Sequence, residues 1–274
     1  MPQPPTYHIA CLPGDGIGPD VSRAAFDVMH AVGDAAGFAL TVDEHLAGGA
    51  ALDATGDPLP PATRAACTAA DAVFLGAVGG PKWDANTGDQ RPEAGLLALR
   101  KLLGVYANLR PVTVPAALAE ASPLRPDRVA DTDVLIVREL TGGIYFGEPS
   151  GRSDHDAHNT MRYATDEVAR IAHVAFQHAQ RRGGRVTSVD KANVLTVSQL
   201  WRDVVADLHQ AEYPDVELNH LYVDNAAMQL VRDPTQFDVV LTGNLFGDIL
   251  SDLAATFPGS LGLDRKSTRL NSSH

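Results

Sequence analysis

Short apolar runs recur along this chain and alternate with stretches whose apolar residues fall at helical spacing. The runs are Tyr7–Leu12, Ala39–Glu44, Asp71–Val78, Val105–Leu109, Asp133–Arg138, Arg185–Val189, Val216–Val223 and Phe237–Leu241. Between them helices are predicted over 20–36, 61–70 and 166–182, from Glu93, around Leu200–Leu208, up to Arg232, and from Asn244. In 166–182, for instance, Val168, Ile171, Ala172, Ala175 and Phe176 share one face. Strands alternating with helices predict an α/β fold with a substantial parallel sheet. With 45% hydrophobic residues in 274, the chain can build one large or two ordinary domains. Val112–Asp131, rich in Ala and Pro, reads as the connection into a second lobe. No internal repeat or low-complexity tract interrupts the pattern.

Charge and cysteine usage exclude several classes. A net charge of -12 and a pI near 5.1 argue against a nucleic-acid or anionic-membrane partner. No apolar run approaches the roughly 18–20 residues of a membrane span. The first residues, Met-Pro-Gln-Pro-Pro, have neither the basic nor the apolar region of a signal peptide. Cys11 and Cys67 both fall inside apolar patterns, as buried thiols of a reducing cytosol would.

Charged residues collect at the ends of the apolar runs and the starts of the helices after them. Arg110, Arg138, Lys191 and Asp224 end strands, and Asp248 lies just beyond another. In open α/β sheets that edge is where ligands bind. Arg110 and Arg138, with Arg100 as a third, suit a dicarboxylate, although each taken alone better suits a surface ion pair. Asp248 and Asp252 are four apart, so they share one face of the helix from Asn244 and repel unless a cation lies between them. Their oxygens suit Mg or Mn, with Asp224 a third candidate, and the plainer alternative is a capping residue plus an exposed Asp. Tyr145 and Lys191 are the candidate proton carriers. His155 and His158, three apart in a polar excursion, read as solvent-exposed. The loop Pro13–Pro19 is a poor dinucleotide fingerprint, because Pro19 stands where the third glycine belongs. A tight turn beside a cleft is the better reading.

The segments LPGDGIGPD (12–20), GAVGGPKWD (76–84), PEAGLLALRK (92–101), NLRP (108–111), VRELTGGIYFGEP (137–149), TSVDKANVL (187–195), YVDNAAMQL (222–230) and NLFGDILSD (244–252) occur in this order. Together they make the chain resemble the metal-dependent β-decarboxylating dehydrogenases, the isocitrate/isopropylmalate dehydrogenase family, from residue 7 to about 262. The resemblance implies a fold other than Rossmann: two α/β lobes, 1–105 and 106–258, sharing one large mixed sheet. It implies NAD-dependent oxidative decarboxylation of 3-isopropylmalate, in a homodimer paired through the second lobes with help from 148–160.

By the same resemblance, Arg100, Arg110 and Arg138 hold the substrate carboxylates, and Asp224, Asp248 and Asp252 hold Mg or Mn. Lys191 and Asp224 reach the partner's site, and Tyr145 and Lys191 form the catalytic pair. Leu96, Leu97 and Val194 face the isopropyl group, and Asn193 joins the substrate contacts. Gly80, Pro81, Lys82, Trp83, Asp84, Pro92 and Glu93 lie on the nicotinamide side of NAD. The family pattern continues roughly a hundred residues past Gly262, including the adenosine-side NAD segment. Here 259–263 are expected to return to the first lobe, and 264–274, polar and without strand or helical period, read as a foreign tail. The alternatives are an inactive fragment that only dimerises and binds metal or dicarboxylate, or a relative acting on another alkylmalate or tartrate.

Overall fold

The computed structural model describes residues 4–259 and the backbone of Ser267–Arg269. The chain divides into two compact units, residues 1–104 and 105–274. The first contains β1 (Thr6–Gly14), α1 (Gly18–Ala36), β2 (Ala39–Glu44), α2 (Gly48–Thr55), α3 (Pro61–Ala69), β3 (Ala72–Ala77) and α4 (Pro92–Leu103). Its three strands are all parallel, in the order β2-β1-β3. Ala10, Leu12, Ala47, Leu59, Cys67 and Leu99 form its core. The turn after β1 is built for close packing: a Cβ on Gly18 would stand 2.0 Å from the Pro13 carbonyl oxygen, and Gly14 sits at φ +73°. Pro19 lies in the first turn of α1, where its missing N–H costs nothing.

The second unit contains β4 (Ala107–Thr113), α5 (Pro126–Val129), β5 (Asp133–Glu139), β6 (Gly151–Arg152), β7 (Ala157–His158), α6 (Thr165–Gln180), β8 (Arg185–Asp190), α7 (Thr196–Glu212), β9 (Glu217–Tyr222), α8 (Val223–Arg232), β10 (Val239–Thr242), α9 (Asn244–Ala255) and β11 (Ser267–Arg269). Six strands form a mixed sheet in the order β11-β4-β5-β10-β8-β9, in which β5, β10, β8 and β9 are parallel and β4 runs against both neighbours. The large mixed sheet lies wholly in this unit; among the described residues it is not shared, since β1–β3 pair with one another.

Alternation along the strands sorts the core onto two faces. Leu135, Val137, Val186, Val239 and Leu241 meet Val168, Ile171, Phe176, Trp201 and Val205 of α6 and α7. Val134, Ile136, Val189 and Val240 meet Ala226, Leu230, Leu250 and Ala254 of α8 and α9. The polar excursion forms a small exposed antiparallel hairpin, β6–β7.

In the tail, which lacks a strand or helical period in its sequence, Ser267–Arg269 pair in antiparallel register with Leu109, Asn108 and Ala107. A backbone ladder needs no side-chain period. The rest of 264–274, and the expected return of 260–263 to the first lobe, lie outside the described residues. Among those described, no helix is long and apolar enough to cross a membrane.

Candidate active site

One register row crosses the second sheet: Arg138 pairs Thr242, Thr242 pairs Val189, and Val189 pairs Leu221. Asp248, Lys191 and Asp224 follow that row by six, two and three residues, so all lie at the carboxyl edge of the parallel strands. Arg138 shares the sheet face of Ile136, and Arg110, opposite Ile136 in register, shares it too. That is the face α9 covers, so the two arginines meet the carboxylates of that helix.

Both guanidinium side chains are nearly enclosed, 5% exposed for Arg110 and 4% for Arg138. Arg138 Nη1 donates to Asp248, while its Nε and Nη2 donate to Asn244 Oδ1 at 3.2 and 2.8 Å. Arg110 Nη1 donates to Asp252 Oδ1 at 3.3 Å, Nη2 stands 3.9 Å from Asp248, and Nε is held by Asn108 at 2.8 Å. The like charges of Asp248 and Asp252 thus have the cations their spacing requires. Burial lowers the Arg138 pKa, Asp248 opposes that, and Arg110 adds to it; a guanidinium stays charged regardless. Tyr145, in the 3-10 turn Gly143–Tyr145, donates its hydroxyl to Asp248 Oδ2 at 3.0 Å. Burial, then the Asp248 contact, raises its pKa.

Lys191 and Asp224 form a second cluster, Nζ to Oδ1 at 2.5 Å, with the ammonium 5.9 Å from the Tyr222 ring centre. The Lys191 hydrogen bond holds the Asp224 carboxyl below its usual range. Asp224 follows the edge strand β9 and Arg138 ends β5, three strands away or about 14 Å. Among the described residues no three His, Cys, Asp or Glu gather as a metal set. Within one chain Asp224 therefore stands apart from Asp248 and Asp252. His155 and His158 lie in the exposed hairpin. Asn193 and Val194, just beyond Lys191, are exposed, Val194 at 68%.

In the first unit, α4 carries half-buried Leu96, exposed Leu97 and half-buried Arg100. The loop before it is tied down by two carboxylates. Asp53 receives Lys82 Nζ at 2.5 Å and Trp83 Nε1 at 3.2 Å. Asp15, 3% exposed, accepts the N–H groups of Gly49, Ala50 and Gly79 at 2.7–2.8 Å. It therefore joins the start of α2 to the loop that runs through Gly80, Pro81 and Asp84 to Pro92 and Glu93. Glu93 lies against this loop as well, since a Cβ on Gly79 would stand 2.8 Å from its carboxylate. Sequence reasoning assigned no role to Asp15, Glu139, Tyr163 or Asn244. The one available signal was an acid or amide inside a glycine-bearing turn.

A sequence profile of the isocitrate/isopropylmalate dehydrogenase family matches residues 8–273. The 3-isopropylmalate dehydrogenase of Salinibacter ruber is 73% identical over 258 residues, 94% of this chain and 70% of the relative. That of Oleidesulfovibrio alaskensis is 59% identical over 260 residues, 93% of this chain and 73% of the relative. Among solved structures, isocitrate dehydrogenase from Methylococcus capsulatus superposes with a TM-score of 0.81 at 35% identity, covering 95% of this chain and 73% of that one. A β-decarboxylating dehydrogenase from Thermococcus kodakarensis gives 0.77 at 32% identity, covering 97% and 72%. A mixed sheet with buried arginines facing acids one helical turn apart, and likeness of this extent, lead to one conclusion: the chain belongs to the isocitrate/isopropylmalate dehydrogenase family.

Proposed function

We propose that this chain oxidises and decarboxylates 3-isopropylmalate to 4-methyl-2-oxopentanoate in leucine biosynthesis, with NAD and one Mg or Mn ion, as a cytoplasmic homodimer. The observation that carries the reading is the Arg110–Arg138 pair, two buried guanidinium groups facing two carboxylates and a phenol. Relatives that share this sequence most fully are 3-isopropylmalate dehydrogenases. The donor set fits a hard divalent cation: Asp248 and Asp252 present carboxylate oxygens from one face of α9, with side chains 36% and 68% exposed. Asp224, paired with Lys191 at the far edge of the same sheet, completes the partner's site in this reading. The tethered loop Gly80–Asp84, with Pro92 and Glu93, suits the nicotinamide side of NAD.

Arg110 and Arg138 hold the substrate carboxylates through charge-assisted hydrogen bonds, and Arg100 is given the same role. When bound, the cation would polarise the substrate's hydroxyl and forming carbonyl oxygen, and NAD would take up the hydride. Lys191, in its neutral amine form, accepts the hydroxyl proton through water and becomes the ammonium. Tyr145 gives its phenolic proton to the carbon that carbon dioxide leaves, the phenol being protonated at neutral pH. Leu96, Leu97 and Val194 offer apolar surface to the isopropyl group, with Asn193 beside them.

Thermal unfolding with Mg plus 3-isopropylmalate, against Mg plus isocitrate, tests this. Ligand at a hundred times its Kd adds about 2.7 kcal/mol, a shift of several degrees. Stabilisation by 3-isopropylmalate alone, abolished by EDTA, supports the reading. An equal shift with isocitrate, or none with either, refutes the substrate assignment.

A further inference from the structure

Arg138 and Glu139 are neighbours in β5, so their side chains leave the sheet on opposite faces. Arg138 enters the site. Glu139 turns away from it and is fully buried, 0% exposed. It accepts the N–H groups of Thr141 and Gly142, both at 2.8 Å, and the Thr141 hydroxyl at 2.7 Å. That hydroxyl in turn accepts Arg170 Nη2 at 2.7 Å. A carboxylate buried away from the reacting groups is expensive unless its donors must be held in place. What is held here is the turn that leads into Tyr145.

Tyr163 connects this carboxylate to the catalytic face. Its ring is 6% exposed and packs against Trp201 at 5.3 Å. Its hydroxyl accepts the N–H of Asn244, the first residue of α9, at 2.8 Å, and its ring and the Glu139 carboxylate flank Gly142 together. Asn244 Oδ1 receives Arg138, and its Nδ2 donates to the Gly142 carbonyl at 3.1 Å. One turn further along α9, Asp248 receives Arg138 and Tyr145. The hydrogen bonds thus run from Tyr163 to Asn244, and from Asn244 both to Arg138 and to Gly142, whose own N–H is held by Glu139. Glycines make room for the phenol: a Cβ on Gly142 would stand 2.7 Å from the Tyr163 ring, and one on Gly143, at φ +75°, 2.6 Å from its hydroxyl.

Building on the function proposed above, we infer that Tyr163 and Glu139 are positioning residues, a brace behind the sheet that sets Arg138 and the Tyr145 turn without touching substrate. Tyr163→Phe keeps the ring and removes the link. Amide exchange in the wild-type chain and the variant should show Thr141, Gly142 and Asn244 exchanging about tenfold faster or more, the loss expected for orphaned buried hydrogen bonds. The amides of β8 should not change. In turnover, the KM for 3-isopropylmalate should rise about tenfold with the KM for NAD unchanged. Thr141→Val, nearly equal in volume, is the milder variant and should loosen the 141–147 turn. Exchange that is unchanged, or faster everywhere in the second unit, overturns the brace, as does a fall in kcat with both KM values constant. A wild-type chain that makes no NADH from 3-isopropylmalate overturns the functional reading instead, and local exchange then decides the brace by itself.

Discussion

Gly247→Ala sets helix propensity against site geometry. Gly247 is buried in α9, and a Cβ there would stand 2.6 Å from Arg138 Cγ, 2.8 Å from Arg138 Cβ and 2.9 Å from Thr242 Cγ2. The closest approach is roughly 1 Å short of an ordinary carbon–carbon contact. Arg138 Cβ is fixed to a central strand and Thr242 to its neighbour, so α9 must lift or Arg138 must leave its rotamer. An alanine in a helix interior gains about 0.5–1 kcal/mol over glycine. Overpacking costs about 1–3 kcal/mol, so the net loss is about 0–2.5 kcal/mol. At about 2–4 °C per kcal/mol for a domain of this size, Tm falls by up to about 10 °C. A displacement near 1 Å at a substrate-holding group costs on the order of 10–100-fold in kcat/KM. Calorimetric melting and NADH-production kinetics of the variant read both effects. A higher Tm with unchanged kcat/KM would mean that α9 relaxes freely and that Gly247 does not set Arg138, refuting the reasoning.

Two further outcomes are expected. Mixing Tyr145→Phe chains with Lys191→Ala chains should recover about a quarter of wild-type activity, because half of randomly paired dimers carry one intact site; no recovery would place Lys191 in its own protomer's site. Burial, then Glu139, raises the Tyr163 pKa far above its usual value, so the folded chain keeps a proton that the unfolded chain releases near pH 10. Its stabilising contribution is therefore complete below about pH 10 and declines above it by up to about 1.4 kcal/mol per pH unit. Urea midpoints from pH 8 to 11 should fall less steeply in Tyr163→Phe, and parallel slopes would refute the assignment.

Much of the architecture was legible because its signals are local. Val168, Ile171, Ala175 and Phe176 declare the buried face of α6, and Val134 to Val137 fill both faces of β5. The edge where Arg138, Lys191 and Asp248 collect followed from strands that end in charge, whereas Arg110, expected at a strand end, sits mid-strand in β4 opposite Ile136. Other features escaped for physical reasons. The α2 helix starts with two glycines and has no polar face to mark it. The expected strand stopped at Leu109, yet β4 continues through Pro111 to Thr113. Proline is tolerated there because, among the described residues, the outer neighbour pairs with residues 107–109 and not with Pro111. Asp15 and Glu139 read as ordinary acids, since a carboxylate's burial depends on donors that only the folded chain assembles.

The resting ion pairs of the second unit are electroneutral: Arg110 and Arg138 carry two positive charges, and Asp248 and Asp252 two negative ones. A dicarboxylate entering alone would leave this enclosure at minus two, and a divalent cation entering alone would leave it at plus two. In the function proposed above, the two arriving together would restore neutrality, with the arginines passing from aspartate to substrate and the aspartates from arginine to metal. Each therefore strengthens the binding of the other, and by reciprocity to the same degree. On that reading, a cluster satisfied by its own ion pairs would favour the correct pair of ions over either one arriving singly.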